Sequence, residues 1–303
     1  MEYSNTGDLL NKVLEMVQKR LSKTGSGVST GFSNLDKALG GFGFEAGCIY
    51  TFASRPSMGK TAFFLNLLAN QLKYVKKEEV LIYVSTQDTP HVLMQKLLAI
   101  LSGVELIKVQ FGSISKEEFN AIEKAGTILK SAADQLIIVE KPTPYIEDLK
   151  GLFQKQYSAG KKVKMLFIDR IQDVEVGLQF NKEEVLKGVM SQLKTIAAEN
   201  NIPIILSSSV SRKVEYRTEH KVPKLEDLLH SRHIGHLSDF VIMLLRPEYY
   251  EIPGEYDKSS ISEAHLVIKK NQNGPLDTLL FETDISKQQF FNRKLTKQGA
   301  EII

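Results

Sequence analysis

The stretch Ser54-Arg55-Pro56-Ser57-Met58-Gly59-Lys60-Thr61 has the residue types and spacing to do chemistry. A β-branched and aromatic run, Cys48 to Phe52, leads into it, and an apolar run, Ala62 to Leu72, leads out. That order reads as strand, tight loop, helix. A Gly-Lys-Thr at the end of such a loop suits a triphosphate such as ATP. Backbone N–H groups can curl round the phosphates, and the helix N-terminus adds partial positive charge. Lys60 would reach the β- and γ-phosphates, while the Thr61 hydroxyl would ligate Mg²⁺. Ser54 stands where the pattern G-x-x-x-x-G-K-[ST] opens with glycine, so the loop departs from it at one position. A second element is Asp169, which ends the run Lys164 to Ile168. A carboxylate at the end of a buried strand can hold the hydrated Mg²⁺ opposite Thr61, through water.

The elements around these residues set the fold class. From Val28 onward, apolar strands centred on residues 48–52, 80–84, 136–139, 164–168, 203–206 and 240–245 alternate with helical stretches. The helices are expected at 34–39 (capped by Ser33), 61–72, 91–102, 116–133, 146–158, 182–200 and, as short pieces, 224–237. Residues 264–270 and 278–282 flank Gly274-Pro275 as a hairpin. Such alternation predicts an α/β fold: a mostly parallel sheet with helices on both faces and an antiparallel C-terminal hairpin. Ligands of these sheets bind at the carboxyl ends of the strands. The phosphate loop, Gln87, Asp169 and Ser207 to Ser209 all follow strand ends and are expected to converge.

Ahead of this block, Leu9, Leu10, Val13, Leu14, Val17 and Leu21 make a helical stripe over residues 8–22. Thr24-Gly25-Ser26-Gly27 then reads as a flexible break. The stripe must be covered by its own domain or by a neighbouring subunit. The chain therefore divides into residues 1–24, a helix and hinge; 25–295, one α/β domain; and 296–303, a tail.

Composition excludes more than it assigns. The 303 residues are 42% hydrophobic and 25% charged, with a net charge of +3. That balance is too weak to argue for nucleic-acid binding by itself, so any such surface must be local. The one cysteine, Cys48, falls in a strand expected to be buried, which excludes a disulfide framework and points to a reducing compartment. No apolar run approaches a membrane span and the start does not read as a signal peptide, so the expected location is cytoplasmic, away from membranes. His230, His233 and His236 recur every third residue, but without Cys or an acidic ligand set they read as ordinary polar residues rather than a metal site.

Arg55 to Thr61 resembles the phosphate loop of DnaB-type replicative helicases, whose motor is a RecA-like P-loop NTPase domain. Thr30-Gly31-Phe32 with Leu35-Asp36 resembles that family's opening motif, and Ile168-Asp169 with Gln172 its second nucleotide motif. Ile202 to Arg212 is similar to its serine-rich sensor segment, with Ser209 at the sensor position. Asp227 to Asp239, Arg246 to Tyr250, and Lys270-Asn271-Gln272-Asn273-Gly274-Pro275 continue the likeness, which spans roughly residues 8–292. The resemblance implies a ring homo-oligomer, a hexamer in that family, with ATP between subunits and the residue 8–22 helix packed on the adjacent subunit. It also implies single-stranded DNA in the channel, contacted by Arg212, Lys213, Arg217 and Arg232, with Lys221 and Tyr216 nearby. A loader or primase would be a further partner. The family's N-terminal collar has no counterpart in these residues.

The departures fall on the chemistry. Gln87 stands where the family carries its catalytic glutamate, and glutamine can orient a water but not take its proton. Asp88 is adjacent but points the other way on an extended chain. Gln272 stands at the arginine-finger position, leaving Lys270 as the remaining cation of that segment. Ser209 replaces a glutamine, and Arg170 an apolar or aromatic residue. The expectation is a DnaB-like helicase motor that binds ATP with weakened hydrolysis. The alternative is a non-catalytic assembly or accessory paralogue; a RecA-like signalling ATPase fits the loop less well.

Overall fold

A computed structural model describes residues 5–21, 27–177, 181–217, 221–230, 232–250 and 261–293. The hinge over 24–26 and the tail over 296–303 lie outside these residues. In chain order the elements are α1 (Thr6–Leu21), α2 (Ser33–Ala38), β1 (Ile49–Ser54), α3 (Lys60–Leu72), β2 (Glu79–Ser85), α4 (Pro90–Ser102), α5 (Leu106–Phe111) and α6 (Lys116–Ser131). There follow β3 (Leu136–Glu140), α7 (Ile146–Ser158), β4 (Lys162–Asp169), α8 (Lys182–Asn200), β5 (Ile204–Ser209), α9 (Arg232–Leu237), β6 (Phe240–Leu245), β7 (Ile261–Asn271), β8 (Thr278–Asp284) and β9 (Gln289–Asn292).

The described strands form one sheet in the order β3-β2-β4-β5-β1-β6-β7-β8-β9. The six strands from β3 to β6 are parallel, and β7, β8 and β9 add antiparallel pairs at one edge. The parallel part is buried on both faces except at its edge strand β3, which is half-buried. One apolar layer, built from Phe63, Phe64, Leu67 and Leu68 of α3 with Leu93 and Leu97 of α4, covers one face. The other layer is built from α7 and α8 through Leu149, Phe153, Val189 and Leu193.

Several boundaries differ from the sequence reading. Ser33 is inside α2, and Phe32 holds the capping position without a side-chain bond. Burial of the Phe32 ring against Phe63 and Phe281 decides this boundary, with ring centroids at 5.5 and 5.2 Å. Cys48 lies just ahead of β1 and is half-buried rather than inside a buried strand. The serine cluster is the end of β5 itself. The C-terminal hairpin gains a third strand, β9, and α5 is an additional short helix.

Helix α1 forms, and its stripe is open to solvent: Leu9, Leu10, Val13, Leu14 and Val17 are about half exposed and Leu21 is 80% exposed. Of the two covers the stripe could have, the described residues of its own domain do not supply one. No helix among the described residues is long and apolar enough to cross a membrane.

Phe63 ties the phosphate-loop helix to both ends of the chain. It is fully buried among Phe32, Phe52, Phe281 and Phe290, with ring centroids 5.2 to 6.0 Å away. Phe63→Ala should therefore lower unfolding stability by about 3–5 kcal/mol. Denaturant titration reads this, and a loss under about 1 kcal/mol would contradict the packing described.

Candidate nucleotide site

The register of the sheet assembles the site. Ser85 lies beside Asp169, Ile168 beside Leu206, and Ser54 beside Ser209, so the carboxyl ends of β2, β4, β5 and β1 form one rim. The chain leaves β1 at Ser54, turns through residues 55–59, and enters α3 at Lys60. Gly59 holds the capping position at φ 89° with no side-chain cap. The first amides of α3 thus have neither an intrahelical partner nor a side-chain cap, an arrangement that favours an anion. A Cβ at Gly59 would sit 3.3 Å from the Phe290 ring, so the turn demands glycine for φ and leaves little room besides. Ser57 is also left-handed at φ 66°, alternating with Met58 and Gly59 as in a backbone nest for anions.

The loop residues divide their work. Met58 is buried in the core and anchors the loop, while Pro56 and Ser57 are exposed. Lys60 Nζ donates to the Ser54 carbonyl and Ser54 Oγ, both at 3.1 Å. Arg55 points away from the phosphate position: its Nε donates to Glu215 Oε1 at 2.7 Å and its Nη1 to the Val210 carbonyl at 2.8 Å. Any contribution of Arg55 to phosphate is through its backbone.

Thr61 and Asp169 meet. Thr61 Oγ1 donates to Asp169 Oδ2 at 2.7 Å, Tyr83 OH donates to the same oxygen at 3.0 Å, and Ser207 Oγ donates to Asp169 Oδ1. A hydroxyl and a carboxylate at this separation are hard oxygen donors of the kind Mg²⁺ takes, with water completing its shell. Tyr83 was not legible as a site residue. The signal was its place two residues before Ser85, on the same face of β2.

Gln87 sits on a clamped loop. Thr86 N donates to the Asp169 carbonyl at 2.8 Å and Thr86 Oγ1 to Asp173 Oδ2 at 2.7 Å. On its other side, Asp88 is held by Lys96 at 2.5 Å and by Ser85 Oγ, which accepts from Asp88 N at 3.0 Å. Gln87 itself is exposed. Asp88 is thus committed to α4. Arg170 grips Asp173 through two bonds of 2.9 Å and stiffens the same loop.

The second basic segment lies elsewhere. Lys270 pairs with Val241 and Asn271 with Phe240, at the start of β6. Because β6 runs parallel to β1, this end of β7 is a strand length, about 17 Å, from its own phosphate loop. Lys270 Nζ donates to the carbonyls of Gly235 and His236 at 3.1 and 2.7 Å, closing the end of α9, and burial holds its amine below the usual range. Gln272 is exposed at the turn. Neither residue lies within reach of the phosphate loop of its own chain.

Ser209 is buried beside Ser54, and its amide donates to Gln172 Oε1 at 3.3 Å. Arg212, Lys213 and Arg232 are exposed, whereas Arg217 is paired with Asp227 at 2.6 Å. His230 lies outside α9 in left-handed backbone at φ 62°, so the three histidines do not share one helix face.

Burial lowers the Lys60 amine to about 8, with Asp169 opposing and Arg170 and Arg55 reinforcing the shift. Between about pH 8 and the ordinary lysine value near 10.4, the unfolded chain holds a proton the folded chain has released. This group's contribution to stability therefore rises with pH across that window. Triphosphate binding needs the ammonium form, so affinity has the opposite trend. The dissociation constant for ATP should rise by about tenfold per pH unit above pH 8. Fluorescence titration across that range checks this, and a flat profile would contradict the role of Lys60.

The sheet order and the loop define a RecA-like P-loop NTPase. Residues 27–292 match the model of the DnaB-like helicase C terminal domain, and the chain belongs to that family. It is 31% identical over 288 residues to "Replicative DNA helicase DnaB" of Rickettsia typhi, covering 88% of this chain and 57% of that relative. It is 29% identical over 289 residues to "Probable replicative DNA helicase" of Trieres chinensis, covering 94% and 62%. The chain thus spans about three fifths of the length of these curated relatives. Among solved structures, "ATPase Domain of G40P" superposes with a TM-score of 0.81 at 22% identity, covering 94% of this chain and 99% of that one. A DnaB-like replicative helicase described with its interactions with primase gives 0.82 at 23%, covering 97% and 68%.

Proposed function

We propose that this chain is an ATP-binding motor domain of the DnaB type that acts on single-stranded DNA in replication, with slowed hydrolysis. The observation that carries the reading is the pairing of Thr61 with Asp169 at 2.7 Å beside Lys60, at an uncapped helix start. Lys60 and the loop amides would bind the β- and γ-phosphates, and Thr61 and Asp169 would hold Mg²⁺, the latter through water. The bound cation neutralises charge on the phosphates. Gln87 would orient the attacking water, whose proton would pass to a phosphate oxygen or to solvent rather than to a protein base.

Assembly completes this site. Residues 1–24 act as a linker to the motor of residues 25–295, and α1 lays its open stripe on the next subunit of a ring, a hexamer in this reading. An apolar stripe of this extent on a lone helix is a docking surface. Gln272, remote from its own nucleotide, faces the nucleotide of a neighbour, while Lys270 lies on the same edge with its amine held at the end of α9. Arg212, Lys213 and Arg232 contact DNA phosphates; Arg217 serves the shape of its loop through Asp227. The reading places the protein in the cytoplasm with a loader or primase as partner, as the DnaB-like structure described with primase suggests by its name.

Light scattering tests the assembly. The full chain with ATP and Mg²⁺ should form a closed oligomer, and removal of residues 1–24 should reduce it to smaller species. An unchanged oligomer would overturn the role of α1. The glutamines at positions 87 and 272 favour one second reading, a paralogue that uses nucleotide for assembly alone.

A further inference from the structure

The phosphate loop holds an arginine that turns its back on the phosphates. Arg55 is 9% exposed, and its guanidinium bonds to Glu215 Oε1 and to the Val210 carbonyl. Glu215 follows the short turn Arg212–Val214, which presents Arg212 and Lys213 to solvent. Tyr216, the next residue, is 80% exposed. One side chain therefore joins the loop that cradles phosphate to the loop that displays cations and an aromatic ring.

A second connection runs beside it. The Ser54 carbonyl accepts from both Lys60 Nζ, at 3.1 Å, and Val210 N, at 3.0 Å. Lys60 has one N–H donor left for a phosphate, and drawing the ammonium toward that phosphate loosens its bonds to this carbonyl and to Ser54 Oγ. The same carbonyl holds Val210, whose own carbonyl accepts from Arg55. An arginine is suited to this task because its planar fork holds direction, and because a buried guanidinium deprived of its carboxylate is strongly unfavourable.

We propose that the Arg55–Glu215 ion pair couples the phosphate loop to residues 211–217, so that nucleotide occupancy sets the affinity of that segment for single-stranded DNA. Both are positioning residues: neither touches a reacting atom. The proposal rests on the reading that residues 211–217 contact DNA, and its test separates the two.

The full chain is titrated with a fluorescent oligothymidine, with and without a non-hydrolysable ATP analogue and Mg²⁺. The unaltered protein should show a difference of about tenfold or more in DNA affinity between the two states. Glu215→Ala should bring that ratio to within about twofold while its affinity for the ATP analogue stays within about threefold. Glu215→Gln, which keeps an oxygen to accept from Arg55, should retain part of the ratio. A Glu215→Ala protein with the full ratio would overturn the coupling. Amide hydrogen exchange of residues 211–217 is read in the same proteins. If the unaltered chain binds no DNA but these amides change exchange rate on nucleotide addition, and Glu215→Ala abolishes the change, the DNA reading fails and the coupling stands. An exchange change that survives in Glu215→Ala, or none in the unaltered chain, overturns the coupling itself.

Discussion

Changing Gln87 to Glu and Gln272 to Arg together should raise steady-state ATP turnover by about 10³-fold or more. The first change supplies a general base, worth about 10²–10⁴. The second supplies a guanidinium to the γ-phosphate, worth about 10³–10⁵ in P-loop enzymes. Gln87 is exposed, and its neighbours Thr86 and Asp88 are both tied down, so glutamate there meets no steric cost and lands on a rigid loop. Gln272 lies about a strand length from its own phosphate loop, so its share of the gain must come from the adjacent subunit. Dilution below the assembly range should therefore remove that share and leave the Gln87→Glu share. Lys270 offers no substitute where it stands, because its amine closes the end of α9. No gain from the double change would contradict the roles given to both positions.

Lys60→Ala should weaken Mg-ATP binding by about two orders of magnitude, equivalent to about 3 kcal/mol. The ligand-free protein should melt no lower. The burial that depresses the Lys60 amine is an unfavourable term in the empty site, and its partner oxygens on Ser54 lose only one of their bonds. Removing the lysine thus separates binding from folding. Calorimetric titration and thermal melting of the same variant check both halves. A large fall in melting temperature would mean that Lys60 is chiefly structural.

Much of the fold was legible because its signals are local. Most of the parallel strands are short apolar runs followed by a helix, and β1, β2, β4 and β5 carry candidate site residues at or just past their ends, as β4 does with Asp169. The phosphate loop was legible for the same reason: strand, glycine-lysine-threonine and helix are contiguous. What was hidden depends on register between distant segments. Tyr83 reaches Asp169 across 86 residues, and only its place two residues before Ser85 on the same face of β2 hints at it, whereas Ser207, expected to converge with Asp169, does so across 38 residues. The direction of Arg55 was equally hidden, because its partner Glu215 is 160 residues away. Strand β9 is four residues long with two polar ends, too short for a period, and α5 buries no residue fully. Ser33 failed as a cap because burial of Phe32 outweighed local preference.

The proposed chemistry turns on two amides standing where a carboxylate and a guanidinium are expected. Steady-state ATP turnover of the unaltered chain, measured with and without single-stranded DNA beside a Lys60→Ala control, tests it most directly. The prediction is Mg²⁺-dependent ATP binding with turnover well below about 1 s⁻¹, the lower end of ordinary enzyme rates. DNA-stimulated turnover above that rate, abolished by Lys60→Ala, would contradict it.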